Sequence, residues 1–515
     1  MSDAAAPRVK GNDWGVLEAA DDKELTPHRS VSIVIPAYRA QRTLPYTLAA
    51  LQAQTYPSHL LEVLVVTDGG DEQLVLPECR PDNARILPAT TSWGRANACR
   101  EGAAAAEGEV IHWLDADMVP GREEVARQMR WHHLIDHAVV VGHKLFVDAD
   151  DLPAVADLRR AVVDDRLSEL LAGRWTEEHG WVEAIWRRTD DLKKAGFRAF
   201  HVHVGATGSV SRELYFDAGG MDPSLKLGED IELGYRLTAK GAVFVADRTA
   251  TSWHLGRSHL MQHEQQVQRY NAPFIAERVP DFRKFRQERG RSYRVPYVEV
   301  VVDTDGHTWE QVKYTVDGVL EAVPGDVRCL LVGRWSQLSE TRRHPLQDAL
   351  LDKRLLAEEY ASDARVRLVE TVAPTAFPAQ YRLHLPAGWR PGERTLDQLT
   401  KQMQKRVQGL RSIFLPDTRV VRLERTAAFE RALRLVRPGE DLDDVVEEVS
   451  GTWWSEGTEE GFQRYDPDAA LVTSRIPREE GQPAQPLPQP RARQRLTSAA
   501  RLAVSMVKSA GRPRR

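Results

Sequence analysis

Two carboxylates one residue apart, Asp115 and Asp117, follow directly on the apolar run Val110-Ile111-His112-Trp113-Leu114. Side chains of this type at this spacing repel each other and are costly to desolvate. A site that keeps both ionised usually contains a cation, most simply a divalent one with oxygen ligands. Aspartates that cap the next helix or face water from a loop share the spacing. Asp68 stands before Gly69 and Gly70, where its carboxylate can accept a hydrogen bond from a base or ribose and the glycines permit close backbone approach; a plain turn aspartate has the same surroundings. Arg95, Asn97 and Arg100 lie near a helix start, within reach of a diphosphate or simply solvated. Glu229 and Asp230 open a further helix, where acids are favoured electrostatically whatever their chemistry. His254 gains meaning only if folding brings it beside Asp115 and Asp117 as a third ligand. His201 and His203, spaced to share one face of a strand, are expected to be packed or solvent-facing, and the small residues from Gly205 to Ser209 let the chain pass beneath a bulky ligand.

The elements that must position these groups alternate between strand and helix. Val31-Ser32-Ile33-Val34-Ile35, stopped by Pro36, predicts a central parallel strand entering a loop. Thr43 is placed to cap a helix starting near Pro45, with Leu44, Leu48 and Leu51 as its apolar stripe. Leu61 to Val66 predicts the next strand, and a right-handed strand–helix–strand unit puts both strand ends on one sheet edge, where open α/β sheets bind ligands. Ala84–Leu87 and Ala138–Val141 are further strands, and Gly94–Ala106 is a helix. A mainly helical stretch near 152–194 carries Trp175, Trp181 and Trp186, which either fill core or wall an acceptor cleft. Val243–Ala246 is a strand, with His254 shortly after it. No Gly-x-Gly-x-x-Gly follows the first strand and no P-loop occurs, which speaks against a dehydrogenase or an ATPase.

The chain has 515 residues, enough for two or three domains. Its 70 Lys and Arg against 75 Asp and Glu give a net charge of -5, which excludes a nucleic-acid footprint over the whole surface. Cys79, Cys99 and Cys329 are too far apart in sequence for a disulfide framework or metal cluster and suit a reducing compartment. No apolar run reaches the roughly 20 residues of a membrane span, and residues 1–30 are not signal-like, so a cytoplasmic location is expected. A Pro/Gln-rich linker ends at Pro490, and Arg491–Arg515 holds eight Lys or Arg and no acid. That tail is either a disordered solubilising segment or a basic helix suited to the inner face of an anionic membrane.

Together these residues resemble a family-2 glycosyltransferase of the GT-A fold, over roughly Ser30 to Ala272. Val31 to Tyr38 looks like its opening strand and turn, Val65 to Gly70 like its nucleoside edge, and Asp115-Ala116-Asp117 like its Asp-x-Asp motif. Gly219-Gly220-Met221-Asp222, Gly228-Glu229-Asp230 and Trp253-His254 resemble its later signatures. The resemblance implies an α/β GT-A domain in which Pro36, Tyr38, Asp68, Arg95, Asp115, Ala116 and Asp117 bind a nucleoside-diphosphate sugar, most simply a UDP-sugar. It further implies that Asp117, with His254 and Asp115, holds Mn²⁺ or Mg²⁺. Asp230 would be the general base of an inverting transfer to a glycan, polyol or lipid-linked hydroxyl, and Glu229 would orient it or bind acceptor. Thr67 and Cys99-Arg100 depart from the family's usual residues, which clouds the base and the phosphate contact. Cell-envelope or extracellular polysaccharide synthesis is the expected setting, and a homo-oligomer is compatible with it. The alternative is a catalytically silent carbohydrate-binding or scaffolding protein.

The later part of the chain repeats the pattern: Val298–Asp303, Cys329–Gly333 and Ala364–Leu368 parallel the first three strands. Pro386 and Gly388 fall where Asp115 and Asp117 stand, and neither offers a side-chain oxygen. Gly439-Glu440-Asp441 echoes Gly228-Glu229-Asp230. The expected organisation is an extension over 1–29, a catalytic domain over 30–275, a linker over 276–297, and a degenerate GT-A-like domain over 298–460. A linker over 461–490 and the basic tail over 491–515 complete it.

Overall fold

The computed structural model describes residues 7–17, 26–69, 74–340 and 344–468. Gly70, part of the N-terminal extension, most of the Pro/Gln-rich linker and the entire basic tail lie outside the described residues, and so does the expected membrane-surface helix. Among the described residues no helix is long and apolar enough to cross a membrane.

The first sheet begins with β1 (Val31–Ala37), α1 (Leu44–Gln52), β2 (Leu61–Thr67), β3 (Ala84–Pro88), α2 (Arg95–Ala105) and β4 (Val110–Leu114). Next come β5 (Met118–Pro120), α3 (Glu124–His132), β6 (Ala138–Val147), α4 (Val155–Val163), α5 (Leu167–Leu170), β7 (Thr176–Glu178) and α6 (Gly180–Thr189). β8 (Thr207–Ser211), α7 (Arg212–Asp217), α8 (Glu229–Ala239), β9 (Val243–Leu255) and α9 (His259–Arg278) complete it. The strand order is β3-β2-β1-β4-β8-β6-β9-β5, with β7 paired to β6. β1 pairs in parallel with β2 and β4, so Ala37, Thr67 and Leu114 finish at the same edge. Both faces of β1 are buried, which is why it reads as a continuous apolar run.

Some local details differ from expectation. Leu44, Leu48 and Leu51 are buried as a stripe, but the Thr43 hydroxyl makes no capping bond, and Pro45 instead sits in the first turn, where it has no N–H to leave unpaired. His201 and His203 are not on a strand: a 3₁₀ turn over Gly196–Val202 carries the first and ends just before the second. β9 is longer than the run Val243–Ala246 and includes His254, because its far half pairs with β5 and β6.

The second sheet has β10 (Val298–Asp303), α10 (Trp309–Glu321), β11 (Val327–Val332), α11 (Leu351–Glu359), β12 (Val366–Val369) and β13 (Tyr381–His384). β14 (Trp389–Pro391), α12 (Thr395–Arg406), β15 (Leu410–Phe414), β16 (Val420–Arg425), α13 (Thr426–Leu435), α14 (Leu442–Val449), β17 (Thr452–Glu456) and β18 (Phe462–Arg464) follow. Its order, β12-β11-β10-β13-β16-β15-β17, matches β3-β2-β1-β4-β8-β6-β9 strand for strand. Every neighbouring pair also runs in the same relative direction as its counterpart: β13–β16 and β15–β16 are antiparallel like β4–β8 and β6–β8. The α/β class with two sheet-bearing domains, expected from the sequence, is therefore present. The expected boundary at 460 falls short, because β18 pairs with β14 and binds Phe462–Arg464 into the domain.

Both sheets belong to one compact unit that extends to Tyr465. Phe197 of the first domain is buried in one apolar cluster with Leu410, Ala428 and Val446 of the second. Arg431 of α13 is fully buried and donates to the carbonyl oxygens of Val9, Gly11, Gly241 and Ala242, tying the N-terminal segment and the turn after α8 to the second domain. Gly241 has φ +85°, and a Cβ there would lie 2.6 Å from the Arg431 backbone, so this approach demands glycine. Among the described residues no carboxylate pairs with the guanidinium, and burial pushes its pKa down to about 9. Arg431→Met keeps the volume but strands four carbonyls. We expect it to destabilise the chain by roughly 3 kcal/mol or more, read as a lowered urea midpoint.

Candidate active site

The Asp-x-Asp turn is held by backbone. The Asp115 N–H donates to Ala206 O (3.2 Å), the Met118 N–H to Asp115 O (3.0 Å) and the Leu255 N–H to Asp117 O (2.9 Å). The Thr47 hydroxyl of α1 donates to Ala116 O at 3.0 Å. Four elements therefore fix where the two carboxylates emerge from β4.

A cleft of ≈ 400 Å³ opens there, and Pro36, Tyr38, Asp68, Arg95, Asp115 and Asp117 line it, together with Ala116. Asp68 sits at the amino end of α2, where its Oδ2 accepts the Gly94 N–H at 2.6 Å, and the helix dipole favours its charge. Its Oδ1 is buried without a partner. Arg95 crosses the floor: Nε and Nη2 donate to Asp115 Oδ1 at 3.0 and 2.9 Å, Nη1 to Glu229 Oε1 at 3.1 Å, and Nη2 also to Gly205 O. A Cβ on Gly205 would lie 2.4 Å from the guanidinium. The small residue thus makes room for Arg95 rather than for a ligand. Burial opposes the charge of Arg95, but Asp115, Cys99, Glu229 and Asp230 together outweigh it, and its pKa is raised well above the usual value.

Asp117 is arranged differently. His254 Nε2 lies 3.6 Å from its Oδ1. His254 Nδ1 is 3.0 Å from Gly256 O, an atom that can only accept, so in the neutral ring Nδ1 carries the proton and Nε2 turns a lone pair towards Asp117. Asp117 Oδ1 is otherwise buried without a partner. Burial, then Asp115, raises its pKa, while His254 lowers it. With the ring neutral, these two acceptors face each other across a gap that would fit a divalent cation with bonds of roughly 2.1 Å. Among the described residues no three His, Cys, Asp or Glu converge as a cage. A cation held there would take the rest of its shell from ligand and water oxygens. Asp115, spent on Arg95, is outside that pair.

Glu229 and Asp230 begin α8. Burial, reinforced by Asp230 and opposed by Arg95, raises the Glu229 pKa to about 7. Asp230 is half-buried; its Oδ2 accepts the Gly205 N–H at 3.1 Å and its Oδ1 the Ile231 N–H at 2.8 Å. Each oxygen keeps a free lone pair, so the carboxylate is oriented yet still able to accept a proton. His203, buried, packs beneath this end of the helix with Nδ1 2.7 Å from Asp230 O, while His201 bonds Asp281 at 2.9 Å. Both histidines are structural.

Sequence reasoning missed Lys144. It lies on β6 beyond the run used to predict that strand, is buried, and sits 5.0 Å from the centre of the Phe146 ring. Burial pushes its pKa down to about 8 while Asp115, Asp117 and Asp230 pull the other way, so it is a second cation, with Arg95, whose charge these aspartates favour. Its only sequence signal was a lysine within the strand-like run His143-Lys144-Leu145-Phe146-Val147. Asn97 is committed to Ser92 O and Glu101, and Arg100 reaches Met221 O, so neither faces the cleft. In the second sheet Asp441 caps α14 and Glu440 bonds Arg8, leaving those acids to structural work.

Residues 32–194 match the model of glycosyl transferase family 2. Among curated proteins, the chain is 26% identical over 311 residues to a chondroitin synthase of Pasteurella multocida (strain Pm70), covering 54% of this chain and 31% of that protein. It is 27% identical over 236 residues to a hyaluronan synthase of Pasteurella multocida, covering 42% and 24%. The matches thus span less than a third of these relatives' length. Among solved structures, a Pyrobaculum calidifontis mannosyltransferase in complex with GDP-Man and Mn²⁺ aligns at TM-score 0.32 and 15% identity, over 50% of this chain and 63% of that one.

Proposed function

We propose that the first domain is a metal-assisted glycosyltransferase, with a GT-A donor site, that moves a sugar from a nucleoside-diphosphate sugar to an acceptor hydroxyl with inversion. A UDP-sugar is the first donor to test. The observation that carries this reading is the meeting, in one cleft, of Asp68, Asp115 and Asp117 with His254 across a cation-sized gap. Mn²⁺ or Mg²⁺, held by Asp117 and His254, would offset charge on the departing nucleoside diphosphate. The chain's own residues do the rest. Asp68 offers Oδ1 to the base or ribose, and Arg95 holds Asp115 and Glu229 in place. Asp230, fixed by two backbone N–H groups, takes the proton of the attacking hydroxyl. Glu229 orients the base through Arg95.

The shared strand order and the loss of both aspartates at Pro386 and Gly388 support the second domain as a degenerate copy that braces the first. A cytoplasmic protein building envelope or extracellular glycan fits this reading, and the resemblance to chondroitin and hyaluronan synthases supports a glycan acceptor. The test is a panel of UDP-, GDP- and dTDP-sugars with Mn²⁺, read by thermal shift and then by nucleotide release. One donor family should raise the melting temperature and be hydrolysed only with metal. A panel without any shift or release would overturn the proposal.

A further inference from the structure

A second cavity, of ≈ 540 Å³, lies where β7 and α6 meet α8 and α9. Gly228 and Ile231, on either side of Glu229 and Asp230 in sequence, form part of its wall, so it lies beside the amino end of the helix that carries the base. His179 also lines it and is more than nine-tenths buried, and among the described residues neither of its ring nitrogens has a hydrogen-bond partner. Asn271 of α9 also lines the cavity, with its Oδ1 buried and unpartnered. Buried polar atoms in this state call for a bound molecule or water. Burial drives the His179 pKa far down, so the ring is neutral and offers one donor and one acceptor.

The surroundings narrow the class of molecule. Trp181 is 38% exposed at the cavity and meets His179 edge-on at 5.1 Å, offering an aromatic face of the kind that pyranose rings stack on. His179 also packs on Phe146, which touches His254 at 5.0 Å, so the aromatic wall continues to the proposed metal edge. Glu178 is neutralised by Arg187. Glu177 and Glu264 remain against Lys284, an excess of negative charge that disfavours uronates and phosphates.

We propose that this cavity receives the terminal sugar of an uncharged glycan acceptor, its ring laid on Trp181 and its hydroxyls bonded to His179 and Asn271. The proposal rests on the glycosyltransferase reading above, because the cavity lies beside the amino end of α8, which carries Asp230.

The test is calorimetry on the full chain with β-linked glucose or N-acetylglucosamine oligomers and with a uronic-acid oligomer of matched length, in the absence of donor. A neutral oligomer should bind at least ten-fold more tightly than the uronic-acid one. Trp181→Ala should weaken it at least ten-fold and Trp181→Phe should restore most of the loss, whereas Glu264→Lys should narrow the preference. Failure of all the oligomers to bind, tighter binding of the uronic-acid oligomer, or unchanged affinity in Trp181→Ala would each overturn the proposal. UDP and Mn²⁺ are titrated separately. Oligomer binding without any nucleotide binding would refute the donor reading and leave this cavity as a glycan site; the reverse would refute this inference alone.

Discussion

Asp230→Asn should lower sugar transfer by about 10²–10⁴-fold while leaving nucleotide-sugar affinity within a few-fold of wild type, the range expected when a positioned general base is removed. The substitution is nearly isosteric but not electrically neutral for its neighbours. Asp230 takes the Gly205 N–H on one oxygen and the Ile231 N–H on the other, and asparagine has one oxygen to give. One of these donors will face an amide NH₂, at a stability cost of about 1 kcal/mol. The variant should therefore melt slightly lower yet remain folded at assay temperature. Single-turnover transfer and calorimetric donor binding separate the two effects. Wild-type transfer in the variant would remove Asp230 as base, and lost donor binding would make its role structural.

Asp117→Ala should lower Mn²⁺-dependent donor affinity by on the order of 100-fold, because the remaining His254 cannot hold a hard cation on the diphosphate alone. The same change should not destabilise the ligand-free protein. Asp117 Oδ1 has no partner, and its raised pKa means that folding disfavours its charge. Raised above its unfolded value, this group favours the folded state most at low pH and loses that contribution as pH rises through its folded pKa, so its charge adds nothing to the stability of the fold. Removing it should leave the apo melting temperature equal or higher. Wild type, by contrast, should gain several degrees with Mn²⁺ and nucleotide where the variant gains none. Equal metal-dependent gains in the two proteins would remove Asp117 from the site. The opposite signs of the two effects follow from one geometry, a carboxylate aimed at a lone pair 3.6 Å away.

Several features of the site were legible because they depend on local chain physics. Apolar runs ending in acid or glycine marked β1, β2 and β4, and the handedness of strand–helix–strand connections placed their ends on one edge. Asp68, Asp115 and Asp117 come together for that reason. The repeat was visible in the same way, since strand spacing survives the loss of the aspartates at Pro386 and Gly388. His254 was legible only through family resemblance, because nothing in its neighbourhood says that β9 runs back beside β5 until Met118 pairs with it.

Sequence alone determined the alternation of strands and helices, the sheet edge that carries the carboxylates, and which half of the chain lacks them, because each is set by neighbours within a few residues. Tertiary structure decided what those charges do. It gave Asp115 to Arg95 and Asp117 to His254, buried Lys144 within their electrostatic reach, and set Arg431 among the carbonyls of a distant segment. The physical reason is that a charge acquires its role from partners within a few ångströms, and in these cases the partners lie between 20 and 422 residues away in sequence.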